Sequence, residues 1–170
     1  MKTMKAKRVI AAALASLCTP IVLAGNSYIT NDWGLIDPLS TATIMFDANG
    51  ASTQSGFMAK ISFPESGAKR IYFTVIDLKA DSCDVKSFND NFVILVNGQA
   101  IRTFGWCKKA PGEAHYSIQL TASSEQGSQF ITKAFLDAAG EVSMNFQGIE
   151  FGMSAVGFRK AWNSVSQNAL

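Results

Sequence analysis

The chain has 170 residues, of which 48% are hydrophobic and 16% charged, a balance that fits one globular domain and excludes a disordered or low-complexity protein. Its formal net charge is +2. Four of the 15 basic residues and none of the 13 acidic residues precede Gly25. A chain beginning at Gly25 would therefore carry a net charge of −2, without the basic surface that binds nucleic acids or anionic lipids.

The first 24 residues have the organisation of a secretory signal peptide. A basic segment over residues 1–8 precedes an apolar run from Val9 to Leu23, which a proline interrupts. Val22 and Ala24 provide the small residues that signal peptidase requires, and the run is shorter than the roughly 20 residues that span a bilayer. We therefore expect cleavage after Ala24, a periplasmic or secreted protein with no membrane span after signal removal, and one β-rich domain over residues 25–170.

Two cysteines, Cys83 and Cys107, would remain after cleavage. An even number of cysteines in an oxidising compartment most often forms disulfides. A bond between these two would close a loop 24 positions long, worth about 3.5 kcal/mol in the chain-entropy model. A redox or metal-binding pair is the weaker alternative, since there is no Cys-x-x-Cys spacing and one histidine cannot complete a ligand set. We expect a disulfide and no cofactor or metal.

Alternating apolar and polar residues, or runs of β-branched and aromatic residues, predict strands along the whole mature chain. The third predicted strand is almost entirely β-branched or aromatic, which predicts a central strand covered on both faces. Asn97-Gly98 and Gln147-Gly148 predict tight hairpin turns, and Asn49-Gly50 another turn. The predicted strands are Thr41–Phe46, Phe57–Phe63, Arg70–Leu78, Phe92–Val96, Gln99–Trp106, Ala114–Leu120, Val142–Phe146 and Ile149–Phe151.

Two segments have helical spacing instead. Apolar residues from Phe130 to Ala138 predict a short helix, with Ser128 as its N-cap and Gly140 as its stop. Apolar residues from Gly157 to Val165 predict a C-terminal helix capped by Ser154. The predicted fold class is therefore mainly β: an antiparallel sandwich or flattened barrel of about seven or eight strands, with one or two short helices including a C-terminal helix.

The sequence contains no recognisable catalytic motif. His115 is the only histidine and is expected on the exposed face of a strand, and no serine-hydrolase or phosphate-binding motif is present. The aspartates around Cys83 do not have the spacing of a calcium loop. A pair of carboxylates could still hydrolyse a glycoside, although the sequence cannot pair the candidates. These are Glu65, Glu113, Glu125, Glu141 and Glu150.

The aromatic residues next to Cys107 are the best candidates for a binding surface. Phe104 and Trp106 precede this cysteine, and packing of the tryptophan on the disulfide is the simplest interpretation. If their face is exposed, it is a candidate interface. Lys108 and Lys109 begin the adjacent loop and could also contact a partner.

The C-terminal segment Phe151–Trp162 resembles the closing S-x-x-G-F-x-x-A sequence of the invasion-associated locus B-like proteins. The resemblance covers about a dozen residues, together with the export signal, the chain length and the strands that lead into a final helix. The chain departs from that family's pattern in having only two cysteines after signal removal. The resemblance implies an exported bacterial envelope-associated protein without a known catalytic site, and it assigns no functional residue.

These observations favour a non-catalytic exported module that binds another protein, as an accessory, inhibitor or immunity-type protein. Such a role needs a rigid scaffold and shaped loops, but no catalytic acid or base. Two alternatives remain open: a small cell-envelope hydrolase with paired carboxylates, and a surface-fibre subunit.

The exported protein is expected to contain no free thiol. Thiol titration should detect no reactive cysteine in either the native or the denatured, unreduced protein, because Cys83 and Cys107 are paired. Replacing both by serine should lower the free energy of unfolding by about 2–4 kcal/mol. Two thiols that react without denaturant would contradict the pairing.

Overall fold

The computed structural model describes residues 27–35, 37–46, 52–63, 67–76, 88–108 and 116–164. Within these residues the chain forms nine strands and two helices. The elements are β1 (Ser27–Thr30), β2 (Ser40–Phe46), β3 (Ser52–Ser62), β4 (Arg70–Ile76), β5 (Phe88–Val96), β6 (Gln99–Lys108), β7 (Ser117–Ala122), α1 (Glu125–Asp137), β8 (Glu141–Phe146), β9 (Ile149–Ser154) and α2 (Phe158–Ser164).

All nine strands belong to one sheet, in the order β1-β2-β3-β4-β7-β6-β5-β8-β9. Every neighbouring pair is antiparallel, and the sheet curls into a nearly closed barrel. The predicted fold class is confirmed, with β1 as a strand that the sequence pattern did not predict. Because the number of strands is odd, the two edge strands β1 and β9 run in the same direction.

Side chains rather than a backbone ladder connect β9 to the first two strands. The Ser154 amide donates to Thr30 Oγ1 at 2.9 Å, and Thr43 Oγ1 donates to the Gly152 carbonyl at 2.9 Å. The Trp33 indole Nε1 donates to the Ser154 carbonyl at 2.7 Å. We call this set of contacts the seam. It satisfies backbone groups on the edge of β9 that would otherwise be unpaired.

A loop contact continues the seam beyond β9. The Trp33 amide donates to the Val156 carbonyl at 2.9 Å, and the Ser154 hydroxyl donates to Asp32 at 2.7 Å. Ser154 therefore contacts the loop after β1 through both its backbone and its side chain, and it is 2% exposed. The seam thus continues from β1 to the end of β9.

The strands bury one face each, as a single curled sheet requires. Alternation in β3 places Phe57, Ala59 and Ile61 in the core, as predicted. In β4, Ile71, Phe73 and Val75 are buried, whereas Tyr72, Thr74 and Ile76 are only half-buried. The prediction that this strand is covered on both faces is wrong, because no second layer packs on its outer side among the described residues. Its β-branched and aromatic composition instead reflects strand propensity.

Aromatic rings fill the described interior of the barrel. Phe57 stacks on Phe151 with ring centroids 3.9 Å apart, and its edge approaches Phe146 at 6.1 Å. Where the helices pack on the barrel, Phe158 of α2 lies 4.8 Å from Trp33 and 5.2 Å from Phe135 of α1. Trp33 therefore both donates a seam hydrogen bond and anchors the helices. Such edge-to-face and offset contacts are the favoured aromatic geometries.

Both helices exist, but the predicted caps are wrong. Ser124, not Ser128, caps α1: its side chain accepts from the Gly127 amide at 3.1 Å, and Ser128 is buried one turn later. Helix α2 begins at Phe158, and Ser154 is the last residue of β9 rather than a cap. Helical periodicity locates a helix better than it locates the residue at which the helix begins.

The hairpin turns at residues 97–98 and 147–148 are confirmed. Asn97 and Gly98 have φ angles of 49° and 79°, and Gln147 and Gly148 have φ angles of 52° and 83°. Two successive positive φ values are the signature of the type I′ turn that matches strand twist. The predicted turn at Asn49-Gly50 lies outside the described residues, as do the signal peptide and Val165.

Gly152 leaves room for the contact between Tyr28 and Glu141. A Cβ atom there would lie 2.0 Å from Glu141 Oε2 and 2.6 Å from the Tyr28 hydroxyl. We expect Gly152→Ala to lower the free energy of unfolding by about 1 kcal/mol, because the ends of these two side chains must move aside and their hydrogen bond is lost. Chemical denaturation would measure the change.

Gly140→Ala is the matched control. A Cβ atom at position 140 meets nothing within 4 Å, and the backbone there does not have a positive φ. This variant should be neutral or more stable by up to about 1 kcal/mol. Equal effects of the two substitutions would show that crowding at Gly152 does not limit stability.

Candidate functional site

A groove of about 660 Å³ lies between β1 and the β8–β9 hairpin. We call it the seam groove. Gly152 lies on its floor, with Tyr28 and Glu141 on one side and Ile149 and Glu150 toward the hairpin turn. The side chains of Glu141 and Ser143 point outward from β8 because Val142 and Met144, which alternate with them, are buried. The groove therefore lies on the outer surface beside the seam.

Tyr28 and Glu141 form the best-defined contact in the seam groove. The Tyr28 hydroxyl donates to Glu141 Oε2 at 2.9 Å. This hydrogen bond is the main cause that raises the pKa of Tyr28 above its ordinary value, and burial and the charge of Glu141 act in the same direction. A backbone hydrogen bond with Gly152 opposes them. The phenol therefore remains a protonated donor at neutral pH and is not a general base.

Glu150 lies nearer the hairpin turn. Asn145, directly opposite in the β8–β9 register, donates to its carboxylate at 3.4 Å. The described ion pairs join other residues: Lys60 to Asp37, Arg70 to Glu125 and Lys133 to Asp137. Within the described residues, neither Glu141 nor Glu150 has a basic partner. Two carboxylates thus face one groove without a compensating cation.

The structure brings together two of the five predicted carboxylate candidates. Glu141 Oε2 lies over Gly152, which is two residues from Glu150 on the same face of β9, or about 7 Å along the strand. Glu125 lies on α1 and pairs with Arg70, while Glu65 and Glu113 lie outside the described residues.

Phe104 and Trp106 lie on the outer face of β6. Gly105 and Cys107, which alternate with them, are buried, whereas Phe104 and Trp106 are half-buried. The Trp106 ring meets Tyr72 of β4 edge-to-face, with centroids 6.1 Å apart. We call Tyr72, Phe104 and Trp106 the aromatic patch. Because Trp106 and Cys107 point to opposite faces of β6, strand geometry does not favour the predicted packing of this tryptophan on a disulfide.

Two exposed residues adjoin the aromatic patch. Arg102 is exposed and precedes Phe104 by two positions on the same face of β6, and Val93 of β5 lies opposite Arg102 in the register. Val93 is 47% exposed, which is unusual for a β-branched residue inside a strand. Neither was predicted as a site residue, although the period of two places Arg102 on the same face as Phe104 and Trp106.

The remaining predicted site residues lie at the end of β6 or outside the described residues. Lys108 is the last residue of β6, so it continues the strand that carries the aromatic patch. Lys109, Cys83 and His115 lie outside the described residues. The pairing of Cys83 with Cys107 therefore stays a prediction.

The described residues contain no cluster of three or more histidine, cysteine, aspartate or glutamate side chains that could hold a metal ion. Over the same residues, no helix is long and apolar enough to cross a bilayer. Comparison of the chain with protein-family models, with curated proteins and with solved structures finds no match. The site must therefore be interpreted from its own chemistry.

Replacement of Glu141 should lower the pKa of Tyr28. In Glu141→Gln the carboxylate charge is lost and the charged acceptor for the Tyr28 hydroxyl is replaced by a neutral, weaker amide oxygen, which reduces the main cause of the raised pKa. Ultraviolet titration of phenolate formation would measure the change, with Tyr28→Phe identifying the contribution of Tyr28 to the curve. Glu125→Gln, on α1, should leave the titration unchanged. An identical Tyr28 titration in Glu141→Gln and the parent would contradict the geometry of the groove.

Proposed function

We propose that this protein is an exported, non-catalytic module that binds another protein through the aromatic patch and its neighbours Arg102 and Val93. The predicted signal peptide supports export to the periplasm or the medium. The aromatic patch is the observation that carries the binding role. No cofactor is part of this proposal.

The composition of this surface supports recognition of a protein. Tryptophan, tyrosine and arginine are the residues most enriched among interface hot spots, because each combines a large contact area with a polar group. Here Tyr72 of β4 and Trp106 and Arg102 of β6 lie on the outer face of the sheet, on two strands separated by β7. Rings on a rigid sheet lose little conformational entropy on binding. The surface is therefore preorganised for a partner.

The filled barrel interior also supports recognition on the outside. Phe57, Phe146 and Phe151 contact one another where a small-molecule carrier would need a cavity. In the described part of the chain, the groove and the patch both lie on the outer surface. Such an arrangement suits a scaffold that presents side chains to a partner.

The proposed disulfide would stabilise the strands that carry the patch. Phe88 at the start of β5 pairs with Trp106 in the β5–β6 register, and Cys83 precedes Phe88 by five residues. A turn before β5 would be needed for Cys83 to meet Cys107, which follows Trp106 directly on β6. A bond there would tie the chain before β5 to the end of β6.

We also propose a relation to the invasion-associated locus B-like proteins. The residues that carry the resemblance all have structural roles here. Ser154 bonds across the seam, Gly157 has a φ of 83°, and Phe158 and Ala161 are the buried residues of α2. The similar segment therefore supports a similar packing of the C-terminal end of the chain against the barrel. It gives no indication of a common active site.

A second candidate function, a cell-envelope glycoside hydrolase, is favoured by one observation: Glu141 and Glu150 face the same groove. In such an enzyme one carboxylic acid protonates the leaving group while the other carboxylate activates water. Hydrolysis of envelope glycans by the purified protein, abolished in both Glu141→Gln and Glu150→Gln, would favour this function over binding alone.

Site-specific photo-crosslinking tests the binding proposal. A benzophenone amino acid replaces Phe104 in one variant and Ile29 in another, since Ile29 is an exposed apolar residue on β1. Both variants are exported and irradiated in the producing cells. We expect one discrete crosslinked protein from position 104 and none from position 29, because only position 104 belongs to the patch.

Charge reversal at the patch is the control for specificity. Arg102→Glu added to the position-104 variant should reduce the crosslinked product at least tenfold, since an interface arginine contributes roughly 1.4 kcal/mol or more. Lys133→Glu on α1 should leave it unchanged. Equal crosslinking from positions 104 and 29, or no product from position 104, would contradict the proposal.

A further inference from the structure

Two apolar side chains are exposed in loops at the end of the barrel where the helices pack. Leu35 is 70% exposed and Val156 is 46% exposed. The Trp33 amide donates to the Val156 carbonyl at 2.9 Å, and a Cβ atom on Gly157 would lie only 2.7 Å from the Trp33 carbonyl oxygen. Leu35 follows Trp33 by two residues, so both side chains belong to loops that touch. We call Leu35 and Val156 the loop pair.

A pocket of about 520 Å³ adjoins the loop pair, between α1 and α2. Its polar lining comes from the exposed face of α2, where Asn163 follows Arg159 by four residues and Lys160 by three. Its apolar lining includes Ala155, which Val156 follows directly. Cations and exposed apolar side chains therefore lie next to each other at this end of the molecule.

The pocket is positively charged. Its lining contains two basic side chains, Arg159 and Lys160, and no acidic one. Arg159 Nη2 donates to the Leu136 carbonyl at 2.8 Å, which holds the guanidinium in place and leaves its other N–H groups for a ligand. Within the described residues, no ion pair involves either of these basic side chains.

Acidic side chains of the neighbouring elements are already occupied. These acids and their partners are Asp32 with Ser154, Asp137 with Lys133, and Glu141 with Tyr28. The two cations of the pocket therefore have no described acid beside them to neutralise their charge. An anion from another molecule is the ligand that this charge favours.

The backbone of the two loops has its own hydrogen-bond partners. The amides of Trp33, Leu35 and Ala155 donate to carbonyls of the protein at 2.9, 3.2 and 2.7 Å. Loops bonded in this way can enter the interface of a bilayer without leaving these donors unpaired. A free anion would bind the cations but would leave the loop pair in water. A lipid surface uses both, because it offers phosphates beside hydrocarbon.

We propose that this end of the barrel docks on the surface of an anionic lipid bilayer. Arg159 and Lys160 bind lipid phosphates, and the loop pair enters the boundary between headgroups and acyl chains. A chain beginning at Gly25 would carry a net charge of −2, so the attraction comes from the local arrangement of charge and not from the whole protein. The docking surface is separate from the aromatic patch on β4 and β6, so vesicle binding and crosslinking test different surfaces.

Co-sedimentation with lipid vesicles tests the docking. The processed protein, purified from the exported fraction, is mixed with vesicles of phosphatidylcholine alone or of phosphatidylcholine and phosphatidylglycerol in equal amounts. We expect binding to the anionic vesicles only, and weaker binding as salt is added, because screening reduces the attraction between cations and phosphates. Binding to neither kind of vesicle, or equal binding to both, overturns the proposal.

Two pairs of matched variants locate the contact. Lys160→Glu should lower the partition coefficient on anionic vesicles by about tenfold or more, because an attraction becomes a repulsion. Arg102→Glu makes the same change of charge on β6 and should alter it by about twofold at most. Val156→Ser should lower it by about fivefold, whereas Val93→Ser, at a valine of nearly equal exposure (47%) on β5, should not. Equal losses within either pair overturn the proposal.

Discussion

The seam is the contact on which the rest of the structure depends. Nine antiparallel strands in one curled sheet leave β1 and β9 parallel, so the antiparallel pattern cannot continue around the barrel. The protein closes the gap with side chains from Thr30, Thr43 and Trp33 that bond the edge of β9. Each of these bonds replaces a water contact that the buried edge has lost, and leaving such a group unpaired would cost about 1–3 kcal/mol. The seam therefore both closes the barrel and protects an exposed strand edge.

The seam groove follows from this way of closing the barrel. Side chains hold β1 at a distance from β9, and the space between them continues outward as the seam groove, where Gly152 lets Tyr28 and Glu141 meet. The aromatic patch lies elsewhere on the outer face, on strands β4 and β6. Because the interior is filled by aromatic side chains, the outer face of the sheet can carry half-buried rings without loss of the core. We propose that the protein binds through the patch.

Local sequence patterns predicted most of the strands, and tertiary contacts determined what those patterns missed. Alternation identified the buried row of β3. Asn97-Gly98 identified the hairpin between β5 and β6. The sequence did not indicate β1, because four residues are too few to show a period. It also could not show that Glu141 and Glu150 face one groove, since this depends on the hairpin register and on β1. The position of Trp106 on the outer face was predictable only as one of two possibilities, because alternation gives two faces and does not say which one is covered.

Amide hydrogen exchange at Ser154 tests the closure most directly. Its N–H points away from β8 and has Thr30 Oγ1 as its acceptor. We expect this amide to be protected as strongly as amides in the central strands, and Thr30→Val, which keeps the shape but removes the acceptor, to abolish the protection while leaving the amide of Leu120 in β7 unchanged. Rapid exchange of the Ser154 amide in the unmodified protein, or equal protection in Thr30→Val, would show that side chains do not close this barrel.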